Sequence, residues 1–229
     1  MQLFFDQISF QLLFPLLVLL AFLILVLWLF FDHGIDKLKH PEEWQDAGTA
    51  GERILYTTLV KQFKIPENQI FRNVYIPRED GKTAELDLVV FSRKGIFIFE
   101  CKNYSGNIYG DGKCSRWVQC VGNKKSYFYN PLSQNKNHAK YLKKFFAKSA
   151  IEVPIIPILS TITRGNWKIK NLGNDDYILG INCHFKDVYE SLPDSETTLK
   201  NFHAISAKLT PLSRPDKTIR SKHIEQIKF

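Results

Sequence analysis

With 229 residues the chain is long enough for one domain with a sizeable core and an appendage. Its formal net charge of +8 suits a polyanionic partner, either nucleic acid or the anionic inner leaflet of a membrane. The four cysteines, Cys101, Cys114, Cys120 and Cys183, fit a reducing compartment, and their spacing matches none of the common zinc patterns.

The appendage comes first. Residues 1–9 form a short tail, and from Phe10 to Phe31 there follow 22 residues without a charge. A helix needs about 20 apolar residues to cross the hydrocarbon of a bilayer, so a single transmembrane helix is expected over residues 10–31. Pro15 lies in its first turns, where a proline costs least, and Trp28 suits a membrane interface. A cleaved signal peptide fits less well, because the head carries Asp6 rather than basic residues and no small-residue cleavage site follows the run. No Lys or Arg precedes Asp32, so all 31 lie after the run. The positive-inside rule then puts the N-terminus outside and the C-terminal bulk in the cytoplasm, where the formal sequon Asn103-Tyr104-Ser105 has no meaning. Asp6 is the one acidic residue before Asp32, which leaves residues 32–229 about nine positive.

Residues 32–45 read as a polar linker, residues 46–213 as the folded domain and residues 214–229 as a basic tail. Within the domain a helix is expected from about Ala47 to Phe63, closed by Pro66. A strand follows around Ile70 to Ile76, then a turn from Pro77 to Lys82 and a hairpin of two apolar runs, Leu86 to Phe91 and Ile96 to Phe99. Asn103 to Asn123 read as loops and short strands around Trp117. Pro131 precedes a helix from about Ser133 to Lys148. Pro154 to Ile162 and Tyr177 to Phe185 read as strands, and Lys186 to Leu192 as a short helix. Helices alternating with a mixed set of strands define an α/β class.

The hairpin carries charges where a core is expected. By strand alternation Leu86, Leu88 and Val90 share one face and Glu85, Asp87 and Val89 the other. Closing it with Arg93 and Lys94 as the central turn residues pairs Ser92 with Gly95. Asp87 then stands opposite Glu100, and Glu85 opposite Lys102. Facing carboxylates destabilise a ladder unless a cation sits between them or one takes a raised pKa. Hard oxygen ligands this close suit a Mg²⁺ ion, with Lys102 adding a cation beside it. The plainer account is a structural ion-pair cluster at a strand end.

Helical spacing adds to the site. Leu55, Tyr56, Leu59, Val60 and Phe63 form the apolar stripe of the first helix, and Glu52 projects from its centre. A carboxylate there needs a partner, unless it simply serves the helix dipole. In the helix from Ser133, Gln134 and His138 share the inward face with Tyr141, Leu142 and Phe145. Lys136, Lys140, Lys143 and Lys144 take the opposite side, as phosphate contacts or as a solvated face. Trp117, Tyr104, Tyr109, Tyr127 and Tyr129 either stack on bases or, as such aromatics more often do, fill a core.

Asp87 followed by Glu100-Cys101-Lys102 resembles the PD-(D/E)xK nuclease core, with Leu86 in place of its usual proline. The ordered set Gly48-Thr49-Ala50-Gly51-Glu52, Glu85-Leu86-Asp87, Gly95 to Asn103, Ser105-Gly106, Trp117 and Asn130-Pro131-Leu132-Ser133-Gln134 with His138 is similar to the nuclease-related (NERD) domain. It spans about residues 46–150. The resemblance implies a restriction-endonuclease-like mixed sheet flanked by helices. It also implies binding of Mg²⁺ or Mn²⁺ by Asp87 and Glu100 with help from Glu52, charge stabilisation at phosphorus by Lys102, and a water or phosphate positioned by Gln134. Cys101 fills a position of which this chemistry asks nothing. The expected activity is metal-dependent phosphodiester hydrolysis in DNA, or RNA, by a membrane-anchored protein. The competing class is a non-catalytic module that binds nucleic acid or a protein at the membrane.

Overall fold

The chain divides into two units, Met1–Asp46 and Ala47–Phe229, and a computed structural model describes residues 15, 18–24, 47–161, 165–180, 185–213 and 217–227. In the first unit residues 15 and 18–24 are helical, and the side chains of Val18, Leu19, Leu20, Phe22, Leu23 and Ile24 are exposed. The tail over 1–9, the linker over 32–45 and the rest of the expected transmembrane run lie outside the described residues. Among the described residues no helix is long and apolar enough to cross a membrane.

The second unit opens with helix α1 (Ala47–Lys61). It stops two residues before the expected Phe63, because Lys64 turns into the left-handed region (φ 56°) ahead of Pro66. Strands β1 (Ile70–Pro77), β2 (Thr83–Ser92), β3 (Gly95–Cys101), β4 (Asn107–Asp111), β5 (Arg116–Val121) and β6 (Lys124–Tyr129) follow. Helix α2 (Pro131–Ala147) leads to β7 (Ile155–Ser160), β8 (Asn166–Lys170) and β9 (Tyr177–Leu179). Four helices close the unit: α3 (Phe185–Ser191), α4 (Glu196–Lys200), α5 (Phe202–Leu209) and α6 (Lys217–Ile227).

These strands make two mixed sheets, in the orders β1-β2-β3-β7-β9 and β6-β5-β4-β8. In the first, β1, β2 and β3 pair antiparallel, while β3–β7 and β7–β9 pair parallel. The β2–β3 register is the expected one, with Ser92 against Gly95. Gly95 is required there, since its φ is +142° and a Cβ would stand 2.7 Å from the Pro154 carbonyl oxygen. β3 is apolar from Ile96 to Phe99 because both faces are covered. Leu55 and Leu59 of α1, with Phe185 of α3, pack on Leu88, Val90, Phe97 and Phe99. Leu142 and Phe146 of α2, with Ile205 and Leu209 of α5, pack on Val89, Phe91, Ile96 and Ile98.

The alternation does not continue through β2 as the sequence suggests. Leu88 faces the α1 side, yet Leu86 packs with Val89 and Phe91 on the α2 side. β1 does the same, with Ile70 on the α1 side and Val74 and Ile76 on the other. Between the two phases stands Asn73, whose φ of 47° twists the ribbon at the level of Asp87. Glu85 and Asp87 therefore do not share one flat face with Val89.

In the second sheet β4 and β5 come from the stretch that reads as loops and short strands, while β6 and β8 are strands the sequence reading lacks. Its core joins Ile108, Trp117, Leu132 and Leu159, with Phe128, Trp167 and Ile169 packed against them. Gly110 lies under the indole: a Cβ there would clash with Trp117 Cδ2. Two further corrections concern the C-terminal third. The strand expected from Tyr177 to Phe185 ends at Leu179, and Phe185 opens α3 instead. The tail over 214–229 carries α6, which docks on β2: Thr83 N–H donates to Gln226 Oε1 (3.0 Å), and His223 is buried.

Candidate active site

The two strands of the hairpin part at the charged residues. β2 and β3 stay paired only as far as Leu88 against Phe99, while β3 continues along β7 through Glu100 and Cys101. Lys102 N–H extends that second ladder to the Ser160 carbonyl (2.9 Å). In the fork between them, Asp87 Oδ2 accepts a hydrogen bond from Cys101 N–H (2.7 Å). A carboxylate thus takes the place of a ladder carbonyl, and its Oδ1 is left for another partner. The expected pairing of Glu85 with Lys102 does not form, since the ladder ends before it. Glu85 instead lies 3.6 Å from His223 Nε2 of α6 and opposite Tyr75 on β1.

Glu100 is 2% exposed. Lys102 Nζ binds its Oε1 at 2.6 Å. Its Oε2 stands 3.4 Å from His138 Nδ1 of α2 and makes no hydrogen bond among the described residues. Burial pushes the Glu100 carboxyl up, but His138 and Lys102 together outweigh it and hold it below the ordinary value. Asp87 goes the other way: burial first, then the charges of Glu100 and Glu52, push it well above the usual carboxylate range. Burial works against the Lys102 ammonium, yet Glu100 and Asp87 keep its proton bound more tightly than in an ordinary lysine. Burial and the surrounding carboxylates push the Cys101 thiol up, so it stays neutral and packs with the α1-side core.

Glu52 of α1 completes the acidic group. It is half-buried, and Asn73 Nδ2 donates to its Oε2 (3.4 Å). Burial raises its pKa and Glu85 adds to that, while Asn73 and Arg72 oppose. Arg72 is itself buried, with its guanidinium 5.2 Å from the centroid of the Tyr56 ring. It is a residue the sequence reading missed, although an arginine inside the apolar run Ile70 to Ile76 was the available signal.

Helix α2 is aimed at the site by its first residue. Asn130 caps it, accepting from Leu132 N–H (2.9 Å) and Ser133 N–H (3.3 Å), and Pro131 occupies the first turn. The Asn130 amide also donates to the Cys114 carbonyl (2.8 Å), tying α2 to the second sheet. The Asn-Pro pair of the motif is thereby a helix start. Gln134 is half-buried, one turn before His138. The most deeply placed polar group of α2 is neither of these but Asn135, whose amide donates to the carbonyls of Ile98 (3.0 Å) and Ile158 (2.9 Å). Of the four lysines, Lys136 pairs with the buried carboxylate of Asp176 and Lys144 with Glu79 (2.8 Å). Lys140 and Lys143 are exposed.

The fold therefore brings Glu52, Asp87, Glu100, Lys102 and His138 to one fork in the sheet. Among the described residues no group of three or more His, Cys, Asp or Glu is spaced to hold a metal ion. The donor set offers a hard cation two carboxylate oxygens, Asp87 Oδ1 and the hydrogen-bond-free Glu100 Oε2. That is a fit for Mg²⁺, which keeps several of its waters and takes only one or two protein carboxylates.

A mixed α/β domain with an acidic fork and an adjacent lysine defines the class. The nuclease-related domain family matches residues 47–162, from α1 through β7, and the chain belongs to that family. An uncharacterized protein of Bacillus anthracis is 30% identical over 211 residues, which cover 92% of this chain and 96% of that protein. No solved structure matches.

Proposed function

We propose that this protein is a metal-dependent nuclease of restriction-endonuclease-like fold, anchored in the membrane by its N-terminal apolar run, that hydrolyses phosphodiester bonds in DNA. The observation that supports it is the parting of β2 and β3 around Asp87, Glu100 and Lys102. Asp87 and Glu100 would hold Mg²⁺ or Mn²⁺. When bound, such an ion lowers the pKa of a coordinated water and neutralises phosphoryl oxygens. Lys102, held beside Glu100, offers its ammonium to the charge that develops at phosphorus. Gln134, one turn before His138 on α2, would orient the water or a phosphate oxygen. Glu52 adds negative charge that strengthens the hold of the fork on a cation. The exposed ammonium groups of Lys140 and Lys143 take substrate phosphates, and Lys136 and Lys144 do so by exchanging their present carboxylate partners.

Single-turnover cleavage of a plasmid, beside equilibrium binding across a salt series, tests this. Lys102→Ala should cut the bound-state cleavage rate by about 10²- to 10³-fold with little effect on affinity. Lys140→Ala/Lys143→Ala should weaken binding and its salt dependence at an unchanged cleavage rate. Wild-type cleavage by Lys102→Ala refutes the catalytic assignment. The second reading, a tethered module that binds without cutting, is favoured by the pairing of the Glu100 carboxylate with Lys102, which already satisfies one of its oxygens. It follows if every variant binds and none, wild type included, cleaves with Mg²⁺ or Mn²⁺.

A further inference from the structure

The registers of the second sheet fix which side chains share its two faces. Pairing sets Lys125 against Cys120, Tyr127 against Val118 and Tyr129 against Arg116. Across the next strands, Cys120 meets Asn107 and Val118 meets Tyr109. Asn107, Tyr109 and Asp111 in turn meet Asn166, Lys168 and Lys170. One row therefore runs Tyr127, Val118, Tyr109, Lys168 across all four strands, with Tyr129, Arg116, Asp111 and Lys170 beside it. The opposite face, carrying Ile108, Trp117, Phe128, Trp167 and Ile169, is the one that faces the core. The outer face is left with three aromatic rings in water, Tyr109 at 40%, Tyr127 at 66% and Tyr129 at 50% exposed. Tyr109, Arg116, Val118, Tyr127, Lys168 and Lys170 line a concavity of about 520 Å³. Lys168 Nζ lies 5.4 Å from the Tyr109 ring centroid.

We propose that this outer face is a platform for a single-stranded DNA segment of the substrate, a reading that rests on the nuclease assignment above. Rings interleaved with cations on an open sheet are what an unpaired strand requires: bases stack on the rings while Lys and Arg meet the backbone phosphates. Charge favours a polyanion, because Asp111, the acid of this face, is already bonded to Asn171 Nδ2 (2.6 Å) and Lys113 N–H (2.8 Å). Asn166 Nδ2 donates to Asn107 Oδ1 (3.2 Å), which ties β8 to β4 on this face. A duplex keeps its bases inside and cannot use the rings. Continuity with the site follows from the chain itself. β3 runs past Glu100 and Lys102 into β4, and β7, its parallel neighbour, runs on into β8. The second sheet is thus the next element in the chain after β3, which carries Glu100, and after its neighbour β7.

The experiment measures binding of the full-length protein in detergent, with a metal chelator present, to labelled oligo(dT), oligo(U) and a DNA duplex of equal length. Tyr109→Ala/Tyr127→Ala should weaken oligo(dT) binding at least about 5-fold, the loss of one base stack at about 1 kcal/mol, and about 30-fold or more where both rings stack. Tyr109→Phe/Tyr127→Phe, which keeps the rings, should bind as wild type, and duplex affinity should move less than about 2-fold. Lys168→Ala/Lys170→Ala should lower the salt slope for the single strand by about 1.4, at about 0.7 per phosphate contact. Wild-type affinity of the alanine variant for oligo(dT), an equal loss on the duplex, or no oligo(dT) binding at all overturns the proposal. So does a tyrosine-dependent preference for oligo(U), or an effect confined to anionic vesicles. Because binding is read without metal, the two readings fail separately. A wild type that cleaves nothing removes the nuclease and leaves the platform, and a cleaving enzyme indifferent to Tyr109 and Tyr127 removes the platform alone.

Discussion

Asp87→Asn should make the metal-free protein more stable and deprive it of its response to metal. The asparagine carbonyl keeps the hydrogen bond from Cys101 N–H, so the fork retains its backbone geometry. What disappears is a charge that burial and the carboxylates of Glu100 and Glu52 oppose. Carboxylates on neighbouring strands stand on the order of 5 Å apart, which at an effective dielectric of about 20 is roughly 3 kcal/mol of repulsion. Lys102 already neutralises part of Glu100, leaving about 1–2 kcal/mol to be gained, or about 2–8 °C in Tm for a unit of this size. The sign with pH follows from the raised pKa. Stability from the protonated Asp87 is present below about pH 4 and lost as pH rises through its elevated folded value, so the benefit of the asparagine should be large at pH 7 and vanish near pH 4. Mn²⁺ at about 100 times its Kd should stabilise wild type by about 2.7 kcal/mol and the variant hardly at all. Thermal melts with chelator and with Mn²⁺ at both pH values read all of this. A variant less stable than wild type in chelator at pH 7, or one with the same Mn²⁺ response, refutes the reasoning.

His223 makes α6 pH-sensitive. Its Nδ1 is 2.8 Å from Thr83 Oγ1, and burial, with His138 adding and Glu85 opposing, holds its pKa below the ordinary histidine value. The docked helix is therefore stabilised by a neutral imidazole, fully above pH 6.5, and that stability is lost as pH falls below it. Hydrogen exchange at the Thr83 amide, which binds Gln226, should lose protection on going from pH 7.5 to 5.5, beyond the intrinsic change in rate. In His223→Gln the protection should be flat with pH, and a flat wild type would contradict the assignment. For topology, a reporter active only in the cytoplasm should work when fused after Phe229, and one that requires export should not. The reverse result would put the domain outside, away from most cellular nucleic acid.

How much of this was legible from the residues depended on how local the physics was. The hairpin register was fixed by the turn, since Gly95 admits one close approach and Ser92 must pair with it. The meeting of Glu52, Asp87, Glu100 and Lys102 followed from motif order, because charges in apolar runs need partners wherever they are. Strand alternation failed at Asp87 because Asn73, a residue of another strand, twists the pair there, and nothing in β2 itself records that. The second sheet was hidden for a related reason. Its strands are short, its inner face is aromatic rather than a run of Val and Ile, and β8 joins it only through a parallel partner far back in the chain. The lysine stripe of α2 was read as one surface, but two of its members answer to Asp176 and Glu79, acids that lie far away in sequence.

The same contrast bears on function. The residues that chemistry constrains lie where the first sheet opens, and they are the ones that composition and order already single out. The residues that would decide what the site acts on, the tyrosines and cations of the second sheet, become a surface only when four strands bring them into register. Along the chain they look like ordinary strand residues, since Tyr alternating with polar side chains is as good a β-strand as any. Burial separates the roles. Trp117 and Phe128 on one face close the core, and Tyr109, Tyr127 and Tyr129 on the other remain in water. A tyrosine that is not needed for packing, repeated on β4 and β6 to either side of β5 and flanked by Arg116, Lys168 and Lys170, points to a partner with flat rings and negative charge. A nucleic-acid strand has both, and it is also what the chemistry proposed at the fork would act on.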